Sequence, residues 1–391
     1  MDSEAKKTWQ TKIFVIYLLG FLFTLHTTLP AYINSTFLRQ ITSENFVGLI
    51  YTVAAIITII AFAVIPKVLK RFGNYRTVMT LLAIDFFSLL GLVFNENHYL
   101  IFLLFITGFV AIALIGFNID VFLESLTSDS KTGKIRGTLL STSNIAWIIS
   151  PLITGFILTD GDYWKIFLAA ALLLIPVLFL VQKNLSHFKD AEYRVTPPMR
   201  TFRDIVHEKN IRGAFMVSFF LQFFYSWMII YTPIYLYTYI GFTWQEIGTI
   251  FSVMLLPFVL TEAPLGRLAD TRWGEKEVMC IGFIVMALST GMITFIETKS
   301  LWLWMSLLFI SRVGASMVEI MSETYFFKKV NSDKANIIGM FRTMRPWAYI
   351  LSPILATILF AFALPIKYIF IVLAIIMFLG LYWSLELEDT R

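Results

Sequence analysis

The sequence is poor in charge, cysteine and histidine. Only 15% of its 391 residues are charged and 58% are hydrophobic, whereas a soluble domain carries about 25% charged residues. The single cysteine, Cys280, excludes a disulfide framework and a thiolate metal cluster, and the four histidines are too scattered for a metal site. The chain also lacks a Walker-type nucleotide loop and a recognisable nucleophile–base pair. These absences argue against an enzyme, an ATP-driven pump and a bound cofactor.

The apolar residues are gathered into blocks of about twenty, the length that a helix needs to cross a hydrocarbon core of roughly 30 Å. We therefore predict an all-α membrane protein. Turn-rich or charged stretches such as 72–74, 160–162 and 331–333 separate the blocks. The twelve predicted transmembrane helices cover residues 13–34, 46–66, 77–95, 99–126, 137–159, 163–182, 213–239, 245–265, 278–297, 301–327, 337–361 and 366–385.

The lysines and arginines are spread unevenly over the predicted loops. Most of the 31 fall on one side, which carries both termini, and the positive-inside rule makes that side cytoplasmic. The basic loop residues on the other side are Arg39, Lys165, Lys299 and Lys367. Loop placement then explains the net charge of +5, so we predict no nucleic-acid partner. We expect a monomer integral to a prokaryotic inner membrane, in contact with the lipid bilayer.

The two halves of the chain repeat each other at an offset of about 200 residues. Residues 48–79 align without a gap with 248–279, and a Ser-Pro pair recurs near the end of the fifth and eleventh predicted helices. Two acidic residues of the fourth helix also match two of the tenth, Asp120 and Glu124 with Glu319 and Glu323. We predict two pseudo-symmetric six-helix bundles, 1–182 and 213–391, with a cytoplasmic linker at 183–212 and a cavity between the bundles.

The loop after the eighth predicted helix carries the most specific motif. Residues 266–276 read Gly-Arg-Leu-Ala-Asp-Thr-Arg-Trp-Gly-Glu-Lys, which resembles the signature loop of the major facilitator superfamily. The matching loop at 66–76 keeps the basic residues but has Lys70 where the aspartate belongs. The resemblance implies that family's twelve-helix fold and a gate on the cytoplasmic side, formed here by Gly266, Asp270, Arg272 and Lys276. The alternative is a solvated basic turn.

Ionisable side chains within the predicted spans raise the question of a functional site, because they are costly in a membrane. On the tenth predicted helix, helical spacing places four polar side chains on one face, those of Arg312, Ser316, Glu319 and Glu323. The eleventh helix carries its own polar face at a similar depth, made of Arg342, Arg345, Tyr349 and Ser352. These two faces predict an ion-pair network.

The depth of each charge suggests its role. Residues near the membrane surface are assigned to the cytoplasmic gate, namely Glu124, Glu323 and Arg342. Deeper residues can bind solute or protons, or hold the fold together, and both roles stay open for Arg312, Glu319, Asp120 and Arg345. A buried carboxylate carries a proton near neutral pH when desolvation outweighs the effect of a nearby arginine.

Further candidates lie in both halves. His26 can titrate in the working pH range, although a hydrogen-bonded buried histidine is the alternative. Asp85 is expected to have a structural partner. Several polar and aromatic side chains are predicted either to line the cavity or to pack, namely Asn144, Trp147, Gln222, Tyr225 and Trp227.

Together these features predict a secondary transporter that moves a small solute by alternating access, coupled to protons. One alternative is facilitated diffusion of a sugar or another polar solute. A second is efflux of amphipathic compounds, which the 16% aromatic content favours. A third is a receptor or lipid scramblase on a transporter scaffold. The sequence predicts neither the substrate nor the direction of transport.

Overall fold

The computed structural model describes residues 3–126, 132–186, 205, 207–261, 274–329 and 335–388. The helices of the first part of the chain are α1 Ser3–Ala31, α2 Asn34–Ile41, α3 Glu44–Phe72, α4 Asn74–Phe94, α5 His98–Leu126, α6 Thr132–Ile157 and α7 Tyr163–Leu185. Those of the second part are α8 Lys209–Ile234, α9 Trp244–Leu255, α10 Pro257–Leu260, α11 Glu275–Ile293, α12 Leu301–Lys329, α13 Ala335–Arg342, α14 Met344–Ala361 and α15 Ile369–Glu386. A π-helix, Tyr235–Ile240, extends α8.

Within the described residues, ten helical stretches are long and apolar enough to span a membrane, and shorter apolar helices cover Thr142–Ile157 and Trp244–Leu260. These twelve coincide with the twelve predicted spans. Large apolar side chains are exposed along them, for example Phe87, Phe156 and Trp302, as expected where the solvent is lipid rather than water. The predicted all-α fold with twelve membrane helices is confirmed.

The chain forms two compact units. The first comprises residues 1–37 and 53–195, and the second comprises 38–52 and 196–391. In the first unit α1 packs against α6 and α7, and α4 packs against α5 and α7. In the second unit α11 packs against α12 and α15, and α8 packs against α14 and α15. Segment 38–52 thus joins the second unit, although the sequence repeat assigns it to the first half.

Two glycines let α11 and α12 touch at the backbone. A Cβ atom on Gly282 would lie 2.7 Å from the Gly314 carbonyl oxygen, and one on Gly314 would lie 2.6 Å from the Gly282 carbonyl oxygen. Both separations are too short for a real side chain, so glycine is required at each position. Small residues give membrane helices this close approach, and here it sets the position of α12, which carries the charged face.

The eleventh predicted helix is interrupted. Residues Met340–Ala361 form one stretch long and apolar enough to span a membrane, in agreement with the predicted span over 337–361, but a turn at Thr343 separates α13, which ends at Arg342, from α14, which begins at Met344. Pro346 explains the break, since its ring nitrogen has no hydrogen to donate to the carbonyl four residues earlier. Arg342 and Arg345 therefore belong to different helices.

Candidate functional site

The polar face of α12 points towards other helices of the second unit. Arg312 is 2% exposed, and its guanidinium carbon lies 4.9 Å from the centre of the Phe224 ring. Ser316 Oγ lies 2.8 Å from the hydroxyl of Thr261. One turn further on, Glu319 Oε2 accepts a hydrogen bond of 2.8 Å from the hydroxyl of Tyr225. The spacing read from the sequence therefore describes a real face, directed at α8 and the end of α10.

This face combines a permanent cation with an acid. A guanidinium stays protonated under all ordinary conditions, and the face of an aromatic ring attracts it. Glu319 is half-buried, and the Tyr225 hydroxyl stabilises its carboxylate by donating a hydrogen. Arg312 and Glu319 can therefore attract opposite charges on a solute, while Tyr225 provides an aromatic face beside them.

An ion pair lies at the end of this face. Arg342 Nη1 is 2.6 Å from Glu323 Oε1, and the two side chains are 54% and 36% exposed. Arg345 is exposed, and its guanidinium lies 5.9 Å from the centre of the Tyr349 ring. The structure thus brings together one pair of the predicted network, while the gating role assigned to Glu323 and Arg342 stays a prediction.

Most residues of the predicted gate loop lie outside the described part of the chain. This holds for Gly266, Asp270 and Arg272, whereas Lys276 is half-buried in the first turn of α11. Beside it, the buried carboxylate of Glu275 forms an ion pair with Lys328. The side chains of Asp120 and Glu124 are also outside the described set, so their assignments stay predictions.

The first unit contains a buried pair of ionisable side chains. His26 on α1 and Asp85 on α4 are fully buried, and His26 Nε2 lies 2.9 Å from Asp85 Oδ2. The other ring nitrogen, Nδ1, lies 3.0 Å from the backbone oxygen of Ala170 on α7. The histidine is therefore hydrogen-bonded and buried with Asp85 as its partner, and the titrating and structural roles considered for it both stay predictions.

The hydrogen bonds of His26 indicate where the protons of this pair can lie. A carbonyl oxygen can only accept, so Nδ1 carries a hydrogen and donates it to Ala170. Nε2 then faces Asp85 Oδ2 at 2.9 Å, and a hydrogen bond between these two atoms requires a proton on one of them. The pair is then electrically neutral, as imidazolium with carboxylate or as imidazole with carboxylic acid.

The remaining candidates lie among packed side chains. Trp147 meets Tyr32 edge to face at 6.0 Å, and Asn144 and Gln222 are half-buried. Trp227 has no exposed surface and lies between Phe223 and Tyr231, with ring centres 5.5 and 5.7 Å away. This position favours the packing role for Trp227 over the cavity-lining one. Among the described residues, no three His, Cys, Asp or Glu side chains form a set that could hold a metal.

Sequence reasoning missed a polar cluster in segment 38–52. Glu44 Oε1 accepts hydrogen bonds from Arg39 Nε at 3.1 Å and from the Tyr239 hydroxyl at 2.6 Å. The five-residue separation of Arg39 and Glu44 across the α2–α3 turn was the available signal. Tyr239 is distant in sequence, and only the fold brings it to this place.

Comparison with known proteins places these observations in a family. The family model of the Major Facilitator Superfamily matches residues 16–254 and 215–391. The fold resembles a bacterial homologue of the human lysosomal transporter Spinster, solved in an inward-facing and unoccupied conformation, with a TM-score of 0.74, 10% identity, and coverage of 98% of this chain and 99% of that one. The occupied form gives a TM-score of 0.73 at 10% identity, with 95% of each chain covered.

Two curated relatives are tetracycline resistance proteins. The class B protein of Escherichia coli is 24% identical over 350 residues, which cover 85% of this chain and 84% of that protein. The class H protein of Pasteurella multocida is 27% identical over 189 residues, or 45% of this chain. That second match spans 44% of the relative's own length.

Proposed function

Because the chain belongs to the major facilitator superfamily, we propose that it is a proton-coupled secondary transporter of a small solute, working by alternating access. The observation that carries this proposal is the buried pair of His26 and Asp85, whose side chains lie 2.9 Å apart. In this proposal both termini are cytoplasmic and the protein lies in a prokaryotic inner membrane, as the distribution of basic residues indicates.

The environment of the pair makes it suited to carry a proton. Loss of the proton leaves a carboxylate charge in a place with no exposed surface, and burying such a charge is costly. The proton therefore leaves only when water reaches Asp85. A conformational change that admits water from one side at a time then converts proton release into directed transport.

The polar face of α12 serves as the solute site in this proposal. Arg312 provides a permanent positive charge, and Glu319 with Tyr225 provides an acceptor next to an aromatic ring. Solute binding and proton binding then use different units of the protein. The two sites are then coupled through the conformational equilibrium of the protein. Binding of the solute or of the proton shifts this equilibrium, and the shift changes the affinity for the other ligand.

A second candidate is narrower: proton-driven efflux of flat amphipathic compounds. Two relatives are named tetracycline resistance proteins, one of them similar over 85% of this chain. The test is to express the gene in a drug-sensitive bacterial strain and measure tolerance to a panel of antibiotics and dyes. Raised tolerance that disappears when the proton gradient is collapsed supports efflux, and unchanged tolerance across the panel contradicts it.

The main proposal is tested in two stages. A thermal-shift panel of sugars, amino acids, organic anions and amphipathic drugs first finds a solute that stabilises the purified protein. Uptake of that solute into proteoliposomes is then measured with and without an imposed pH gradient. We expect the gradient to drive accumulation, whereas equal rates in both conditions would mean facilitated diffusion instead.

Asp85→Asn gives the residue-level test. The asparagine amide does not gain or lose a proton at ordinary pH, so gradient-driven accumulation should fall by about 100-fold while counterflow exchange of the solute persists. The matched control is Asp160→Asn, which removes an exposed carboxylate paired with Lys165 in the same unit. Full gradient-driven accumulation in Asp85→Asn would contradict the assignment of the proton site.

A further inference from the structure

A cavity of about 680 Å³ lies within the second unit, apart from the α12 face. Its walls come from the α2–α3 turn, the π-helix that follows α8, the end of α14 and the segment 363–367. By the predicted topology, this end of the unit faces outside the cell. The volume falls within the usual range of small-molecule sites, roughly 300 to 1,000 Å³.

An aromatic wall forms one part of this cavity. Tyr235 and Tyr239 line it, with ring centres 6.1 Å apart and planes inclined by 26°. Tyr235 is buried, whereas Tyr239 is 51% exposed. The π-helix brings the two rings together, and single π-helical turns are frequent at functional sites. A flat apolar ligand body could therefore pack against the exposed Tyr239 ring.

Two ion pairs line the cavity, and in the first of them, Arg39 with Glu44, the acid is shielded whereas the cation is accessible. The Glu44 side chain is 14% exposed, and one of its oxygens accepts hydrogen bonds from both Arg39 and Tyr239. Arg39 is 36% exposed and uses Nε for this bond. The Tyr239 hydroxyl is a further hydrogen-bond neighbour of this guanidinium. A guanidinium has five N–H groups arranged as a fork, so Arg39 has N–H groups beyond these two contacts with which to meet another anion.

The second ion pair contributes little net charge to the cavity. Lys367 Nζ lies 2.6 Å from Glu297 Oε1. The hydrogen bond that Lys367 donates lowers the pKa of the Glu297 carboxyl below its ordinary value. Glu297 therefore stays ionised at neutral pH, so both cations of the cavity are paired, Lys367 with Glu297 and Arg39 with Glu44. Arg39 is the better anchor for a ligand anion because its guanidinium has further N–H groups besides the Nε–H that Glu44 accepts.

From this arrangement we infer that the cavity is a binding site for a small aromatic monocarboxylate. The carboxylate binds the terminal nitrogens of Arg39, since an arginine fork matches the geometry of two carboxylate oxygens. The ring of the ligand packs against Tyr239. The site is separate from both the α12 face and the His26–Asp85 pair, so this inference does not depend on the proposed function.

Binding of benzoate to the purified full chain in detergent tests the charge requirement. Benzamide has the same shape without the charge, and benzylamine carries the opposite charge. Isothermal titration calorimetry should show benzoate binding at least tenfold more tightly than benzamide, with no binding of benzylamine. Equal affinity for benzoate and benzamide would overturn the inference, as would tighter binding of benzylamine.

Variants of the two contact residues test the location. Arg39→Lys keeps the positive charge but loses the fork, so benzoate affinity should fall about tenfold, and Tyr239→Ala should lower it by a similar factor. The matched control is Lys299→Gln, which removes an exposed cation paired with Glu246 outside this cavity. Each variant is first checked for the elution volume and melting temperature of the parent. Unchanged affinity in a folded Arg39→Lys protein would overturn the assignment.

A lipid headgroup could offer an anion at the same place. The titration is therefore repeated in nanodiscs of phosphatidylcholine alone and of phosphatidylcholine with phosphatidylglycerol. We expect benzoate to bind in both, with unchanged affinity. Binding that is lost in the anionic nanodiscs would mean that a lipid phosphate occupies Arg39, and the inference of a carboxylate site would be wrong.

Discussion

The two units use buried charge differently. In the first unit, His26 and Asp85 lie 2.9 Å apart with no exposed surface, and one proton between them would make the pair neutral. In the second unit, Arg312 keeps a permanent charge and lies against the ring of Phe224. Neither Asp85 nor Arg312 has a charged counterpart in the other half. The alignment of the halves places Val285 opposite Asp85 and Ala113 opposite Arg312.

Under the proposed function, this difference divides proton coupling and solute binding between the two units. A neutral pair can gain or lose a proton, whereas a guanidinium cannot, so the first unit is suited to coupling and the second to holding an anionic or polar group. Helix packing depends on small residues such as Gly282 and Gly314, and these are separate from the charged side chains.

The largest expected effect comes from the second unit. Arg312→Ala removes the buried cation, and the thermal stabilisation that the solute gives should disappear, with affinity lowered by more than 100-fold. The measurement is a melting curve of the purified variant with and without the solute found in the panel. Lys165→Gln, which removes an exposed cation of the first unit, should keep the full shift. An unchanged shift in Arg312→Ala would remove this residue from the solute site.

The next effect concerns the stability of the buried pair. Asp85→Leu leaves His26 without its acid partner and should lower the free energy of unfolding by about 3–5 kcal/mol. The double variant His26→Leu with Asp85→Leu removes both polar groups and should recover part of that loss. Denaturant-induced unfolding in micelles measures both. The single variant His26→Leu completes the comparison, and a double variant that loses as much stability as the two single variants together, or more, would contradict a coupled pair.

A smaller effect is expected at the hydrogen bond between Tyr225 and Glu319 in the proposed solute site. Tyr225→Phe keeps the ring but removes the hydroxyl that donates to Glu319. A hydrogen bond to a charged group contributes about 1.5–3 kcal/mol, so solute affinity should fall by roughly 10-fold or more. Tyr382→Phe is the matched control, since its hydroxyl bonds the exposed Glu386 elsewhere in the same unit. Equal affinity in both variants would show that the Tyr225 hydroxyl has no part in binding.

The smallest effect belongs to the exposed pair of the second unit. Glu323→Gln breaks the bond to Arg342, but both partners are more than a third exposed. Solvent screening limits such a pair to about 1 kcal/mol or less, so unfolding should shift far less than in Asp85→Leu. Should transport slow while stability stays the same, the gating role would gain support. A stability loss as large as that of Asp85→Leu would mean that the contrast between buried and exposed pairs is wrong.

The sequence predicted the α12 face well because that face is local. Arg312, Ser316 and Glu319 follow one another at helical spacing, and helix geometry alone puts them on one side. The partners of these residues were less accessible to prediction. Tyr225 was only one of several aromatic candidates on α8, and nothing in the spacing marked it as the donor to Glu319.

The sequence by itself determined the membrane helices, since twenty apolar residues have no better environment than lipid, and it placed each charged residue on its helix. Only the tertiary structure decided which charges meet. His26 and Asp85 lie 59 positions apart, and Tyr239 and Glu44 lie 195 apart. Such pairs depend on which helices pack together and in which register, and packing in a membrane follows from small residues and close fit rather than from a periodic signal.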